Sequence, residues 1–99
     1  MQNTDFRAVL AQQQTDAVYK KVFDLKYNNT SAILQTISEV DRLLQQYPNN
    51  TELLVLQTRL QIMNSQEQRA RAIAAHTWEV GGNLRPKYEK MYVSDLINL

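Results

Sequence analysis

The stretch TSAILQTISEVDRLLQQY, residues 30–47, decides the fold class. Ile33, Leu34, Ile37, Val40, Leu44 and Tyr47 recur at intervals of three and four, the spacing that places side chains on one face of an α-helix. Polar residues fill the positions between them. Thr30 or Ser31 is placed to cap the start. Tyr47-Pro48-Asn49-Asn50 stops the pattern, because a proline disfavours helical backbone in the residue before it. The stretch is therefore an amphipathic helix with polar breaks on both sides.

The chain outward from this helix follows the same logic. It holds only two Gly and two Pro in 99 residues, too few for the many turns of an all-β protein. No sustained period-two alternation occurs, so no sheet is expected. Upstream, residues 4–27 read as one helix, irregular near residue 14, with Thr4 as cap and Asp5 at the positive end of the helix dipole; a break with Thr15 or Asp16 capping a second helix is the alternative. Phe6, Val9 and Leu10 share one face, a polar run from Gln12 to Asp16 follows, and Val18, Tyr19, Val22, Phe23 and Leu25 restore an apolar stripe. Asn28 and Asn29 end it.

Downstream, Asn50 or Thr51 caps a third helix carrying Leu53, Leu56, Leu60 and Met63, widened by Leu54 and Val55. Ser65-Gln66-Glu67-Gln68 has the spacing of a capping box and suits the start of a fourth helix; one uninterrupted helix over residues 51–80 is the alternative. Gly81 or Gly82 then supplies a C-terminal cap in the left-handed conformation. Pro86 suits the first turn of a last helix, along which Tyr88, Met91, Tyr92, Val93, Leu96 and Leu99 are spaced. The expected fold is an all-α, antiparallel bundle of four to five helices, forming a single domain over residues 1–99. Ile37, Val40, Leu44, Leu56 and Leu60 are the expected core. The apolar run at residues 53–56 is wide enough for two neighbours, which suggests a weak homodimer.

Composition narrows the function. With no Cys there is no disulfide, thiolate metal site or cysteine nucleophile. Residues 1–15 lack a basic segment followed by an apolar one, and no strictly apolar run exceeds four residues, as at residues 53–56, so no signal peptide or transmembrane segment is expected, and the location read from this is cytoplasmic. Eleven basic against ten acidic residues give a net charge of +1, too balanced to drive nucleic-acid binding by counterion release. His76 is the only histidine, and its helical neighbour Glu79 makes a surface contact the simplest reading of that pair. Glu39 and Asp41 are two residues apart and point in different directions on a helix. No phosphate loop or nucleophile elbow occurs. Neither enzymatic activity, a cofactor nor a metal is expected.

The compositional outlier is HTWEVGGNLRPKYEKMY, residues 76–92, with the only His, the only Trp and both Gly. It reads first as a helix end, a Gly turn and a Pro-started helix. Trp78 is also a natural interface anchor. Arg69, Arg71, Arg85, Lys87 and Lys90 make the C-terminal third locally basic, interleaved with aromatics, so weak contact with nucleic acid or an anionic membrane surface is a further alternative.

Two resemblances extend these readings. Residues 43–61, LLQQYPNNTELLVLQTRLQ, resemble the joint between tetratricopeptide repeats, where one helix ends in a Pro-Asn-Asn turn before an apolar helix. Residues 79–92, EVGGNLRPKYEKMY, are similar to the C-terminal helix, Gly turn and Tyr-rich tail of the small helical-bundle bacteriocin immunity proteins. That resemblance implies a cytoplasmic bundle whose C-terminal part recognises a toxin–receptor complex, here through Trp78, Arg85, Lys87, Tyr88 and Tyr92. The function expected is therefore binding to another protein, immunity-like in its most specific version. A small adaptor, chaperone or regulatory subunit with a helical groove is the alternative.

Overall fold

The computed structural model describes residues 6–90. It contains five helices: α1 (Phe6–Asp24), α2 (Thr30–Gln46), α3 (Thr51–Met63), α4 (Glu67–Gly81) and α5 (Arg85–Lys90), and no strand among the described residues. The fold is an all-α bundle. Consecutive long helices run antiparallel. Gln14 accepts a hydrogen bond from the Tyr47 hydroxyl while Lys21 pairs with Glu39, so α2 descends as α1 ascends.

Asparagine side chains start two of the helices. Asn29 Oδ1 accepts from the Ala32 amide at 3.1 Å and Asn50 Oδ1 from the Leu53 amide at 3.0 Å, each satisfying an amide that has no partner within its own helix. The cap of α2 is thus Asn29 rather than Thr30 or Ser31. α1 is continuous through its polar run and ends at Asp24, before Asn28 and Asn29. The expected caps Thr4 and Asp5 lie outside the described residues.

α3 and α4 are two helices, but Ser65 does not cap the second one. It has φ +59°, in the left-handed region, and Gln66, the residue before α4, makes no side-chain cap bond. The Gln66 amide donates to the Gln61 carbonyl at 2.8 Å and the Ser65 amide to the Ile62 carbonyl at 3.0 Å. This is the Schellman closure of α3. A serine that ends one helix in this way is not extended, as a cap of the next must be, so the capping-box expectation fails on backbone geometry.

α3 is the centre of the bundle. Nine of its thirteen residues are buried, so it has no outward side. One apolar cluster joins Val18 and Val22 of α1, Val40 and Leu43 of α2, Leu53, Val55, Leu56 and Leu60 of α3, Ala70 and Ala74 of α4, then Leu84 and Tyr88. Val40, Leu56 and Leu60 are buried as expected; Ile37 and Leu44 are half-buried at its margin. The apolar run at residues 53–56 is wholly used inside the chain, which removes the reason for expecting a homodimer through it. Ala70 and Ala74 let α4 approach α3 closely.

The same centrality buries polar side chains. Gln57 Nε2 donates to Asp41 of α2, and the Thr58 hydroxyl donates back to the Leu54 carbonyl. The side-chain oxygens of Gln57 and Gln61 are buried without a hydrogen bond. Among the described residues, no helix is long and apolar enough to cross a membrane.

Candidate functional site: two surfaces compared

The C-terminal junction is built from the end of α4. The Gly82 amide donates to the Trp78 carbonyl, and Gly82 itself takes φ +68° and ψ −134°, open to glycine and strained for other residues. Gly81 serves a different need: a β-carbon there would lie 2.7 Å from Leu84 Cδ1 and 2.8 Å from Thr51 Cγ2. Both glycines are therefore structural, one by conformation and one by close approach. Asn83 Oδ1 then accepts from the Arg85 amide, turning the chain into α5.

α5 is anchored inward. Tyr88 is fully buried, and its hydroxyl donates to the Ala74 carbonyl at 3.3 Å. Burial raises the phenol above its ordinary pKa, with the hydroxyls of Thr77 and Thr58 acting in the opposite sense. Tyr88 therefore cannot serve as the exposed partner contact expected of it. The amphipathic tyrosine goes inside because α3 and α4 offer it a polar terminus within an apolar pocket. Lys87 Nζ donates to Thr51 Oγ1 at 2.6 Å, which fastens α5 to the start of α3. Trp78 is half-buried against the core, Arg85 is exposed, and Tyr92 lies outside the described residues.

The basic residues do not gather. Arg69 and Arg71 stand at the start of α4, whereas Arg85 and Lys87 lie past its other end, roughly 20 Å away at 1.5 Å per residue. Arg71 pairs with Glu67 on its own helix. The carboxylates are equally dispersed: Glu39 engages Lys21, Asp41 engages Gln57, and Glu79 sits 3.9 Å from His76 on the surface.

The second surface was not distinguished in the sequence. Phe6 is 82% exposed, Val9 46% and Leu10 48%. Their helix is in register with the bundle through Thr15, Val18 and Val22, which are buried. Stepping back from Val18 by threes and fours reaches residues 14 and 15, then 11, then 7 and 8. Phe6, Val9 and Leu10 fall on the opposite side. That phase difference was the available signal. Gln12 of α1 lines one polar cleft with Asn50, Thr51 and Lys87, so the helix before Gln12 runs past the start of α3. α1 thus carries an apolar face at one end that nothing among the described residues covers.

No family model, curated protein or solved structure matches this chain.

Proposed function

We propose that the protein is a non-enzymatic helical bundle that acts by binding another protein, with the outward face of α1 as its contact surface. The exposure of Phe6, Val9 and Leu10 supports this reading. Three large apolar side chains at i, i+3 and i+4 form the stripe through which one helix docks on another, and water is a poor neighbour for them. The occupant that fits is an amphipathic helix of a partner protein, as an adaptor or regulatory subunit would bind. Replacing all three with Gln keeps a good helix former at positions outside the core. The triple variant is expected to melt within a few degrees of the wild type and to lose the protein that co-purifies with the wild type from its native host. Retention of that partner by a folded triple variant overturns the reading.

The immunity-like version places recognition instead on exposed Arg85 and half-buried Trp78, on either side of the Gly junction. Arg85→Ala in a bacteriocin challenge separates the two: loss of protection favours the junction, unchanged protection with a defect in the α1 variant favours α1.

A further inference from the structure

The core cluster is unevenly shared. α3 supplies four of its twelve members, whereas α1 supplies Val18 and Val22, α2 Val40 and Leu43, and α4 Ala70 and Ala74. α1 is nineteen residues long and buries only Thr15, Val18 and Val22, whereas α3 buries nine of thirteen. Its further attachments include half-buried Tyr19, packed against the cluster, and two polar contacts, Tyr47 to Gln14 and Lys21 to Glu39. A helix held by so little apolar burial opens at lower free energy than the α3–α4 pair it rests on.

The connection to α2 permits that opening. Residues 25–29, Leu-Lys-Tyr-Asn-Asn, contain neither Gly nor Pro, and four of the five are exposed. Nothing in their covalent structure prevents them from extending or from continuing as helix, which would carry α1 away from its own α2. The groove it leaves is complementary to one helix above all others, namely α1 itself, including the α1 of a second molecule.

We propose that α1 is an exchangeable arm, and that two copies of this chain form a dimer by trading it. Each groove then receives the same contacts it holds in the single chain, including the Lys21–Glu39 ion pair, but with Lys21 supplied by the other copy. The segment that changes conformation is 25–29, including the Asn29 cap of α2, so at high protein concentration the exchange costs little beyond that cap. The proposal does not depend on what the outward face of α1 binds.

The ion pair provides the test in the unmodified protein. Equal amounts of unlabelled and nitrogen-15-labelled protein are mixed at about millimolar concentration, warmed below the melting temperature, returned to low temperature and treated with a carbodiimide. The reagent joins the Lys21 amine to the Glu39 carboxylate as an amide where the two touch. Mass spectrometry of the digest then reads which copies contributed to the peptide pair holding Lys21 and Glu39. About half of the linked pairs in the dimer fraction are expected to be hybrid, one partner light and one heavy, and Glu39→Gln abolishes the product. Dimers associated only through exposed apolar residues contain light–light and heavy–heavy pairs alone. That result, or a sample with no dimer and only unmixed pairs, overturns the proposal.

Discussion

The hydroxyl of Tyr88 donates to the Ala74 carbonyl and thereby fastens α5 to α4. The ring fills a site with no exposure at all. Tyr88→Phe is expected to lose about 1 kcal/mol, the net worth of one such bond, and Tyr88→Ala about 3–5 kcal/mol, as the cavity adds to the loss. Urea unfolding of the two variants measures both; equal losses would show that the ring contributes nothing.

The same phenol predicts a pH dependence. Its pKa is raised above 10.0 in the folded chain by burial, so the folded protein retains a proton that the unfolded one releases. The stabilisation is complete below about pH 10 and is lost as pH rises through the folded value. Alkaline melting curves should show a decline that Tyr88→Phe flattens. A decline of the same size in the variant assigns the effect to other groups.

Ser65 occupies a left-handed backbone with φ +59°. Ser65→Gly should stabilise the protein by up to about 1 kcal/mol, because glycine adopts this conformation without a steric penalty. Ser65→Val should destabilise it. The urea midpoints need only differ in sign to decide the matter.

The adjacent glycines should respond for different reasons. Gly82→Ala is expected to cost about 1–3 kcal/mol from backbone strain alone, since among the described residues nothing beyond its chain neighbours lies within 4 Å of the added carbon. Gly81→Ala adds a methyl 2.7 Å from Leu84, an overpacking cost of about 1–3 kcal/mol, partly offset by the better helix propensity of alanine. Gly81→Ala should cost less in a Leu84→Ala background than in the wild type, although Leu84→Ala itself removes a core side chain and the Thr51 contact remains, and the Gly82 effect should be unchanged.

Arg85 and Lys87 separate in the same way. Arg85→Ala should leave stability within about 0.5 kcal/mol of the wild type, while Lys87→Ala, which releases Thr51, should lose up to about 1 kcal/mol. Identical melting temperatures for the two variants would mean that the Lys87–Thr51 bond adds nothing.

α2 was legible because it has one dry face and one wet face, and Val40 falls where its periodicity predicts. α3 was legible as a helix but not as the centre, because burial on every side erases the contrast on which periodicity depends. Gln57, Thr58 and Gln61 look like a solvated side until the neighbouring helices are in place. Ser65 followed at three residues by Gln68 fits a helix start as well as a helix end, and only the backbone angle separates them. Tyr88 is equally suited to a surface or an interior with a polar partner; Ala74 and the threonines that decide between these are distant in sequence. Phe6, Val9 and Leu10 were visible as a stripe, but their phase against Val18 and Val22 depends on α1 being unbroken through Gln12 to Asp16.

The central placement of α3 also orders the folding reaction. α3 and α4 are separated by residues 64–66 alone, so their mutual packing closes a very short loop, whereas α1 must find a surface that exists only once α2 and α3 have met. The α3–α4 hairpin is therefore the expected nucleus and α1 the last helix to settle. Truncations such as Leu60→Ala would slow refolding, while Val22→Ala would mainly hasten unfolding. The speed at which the chain becomes compact and the ease with which it first comes apart would then be governed by different helices.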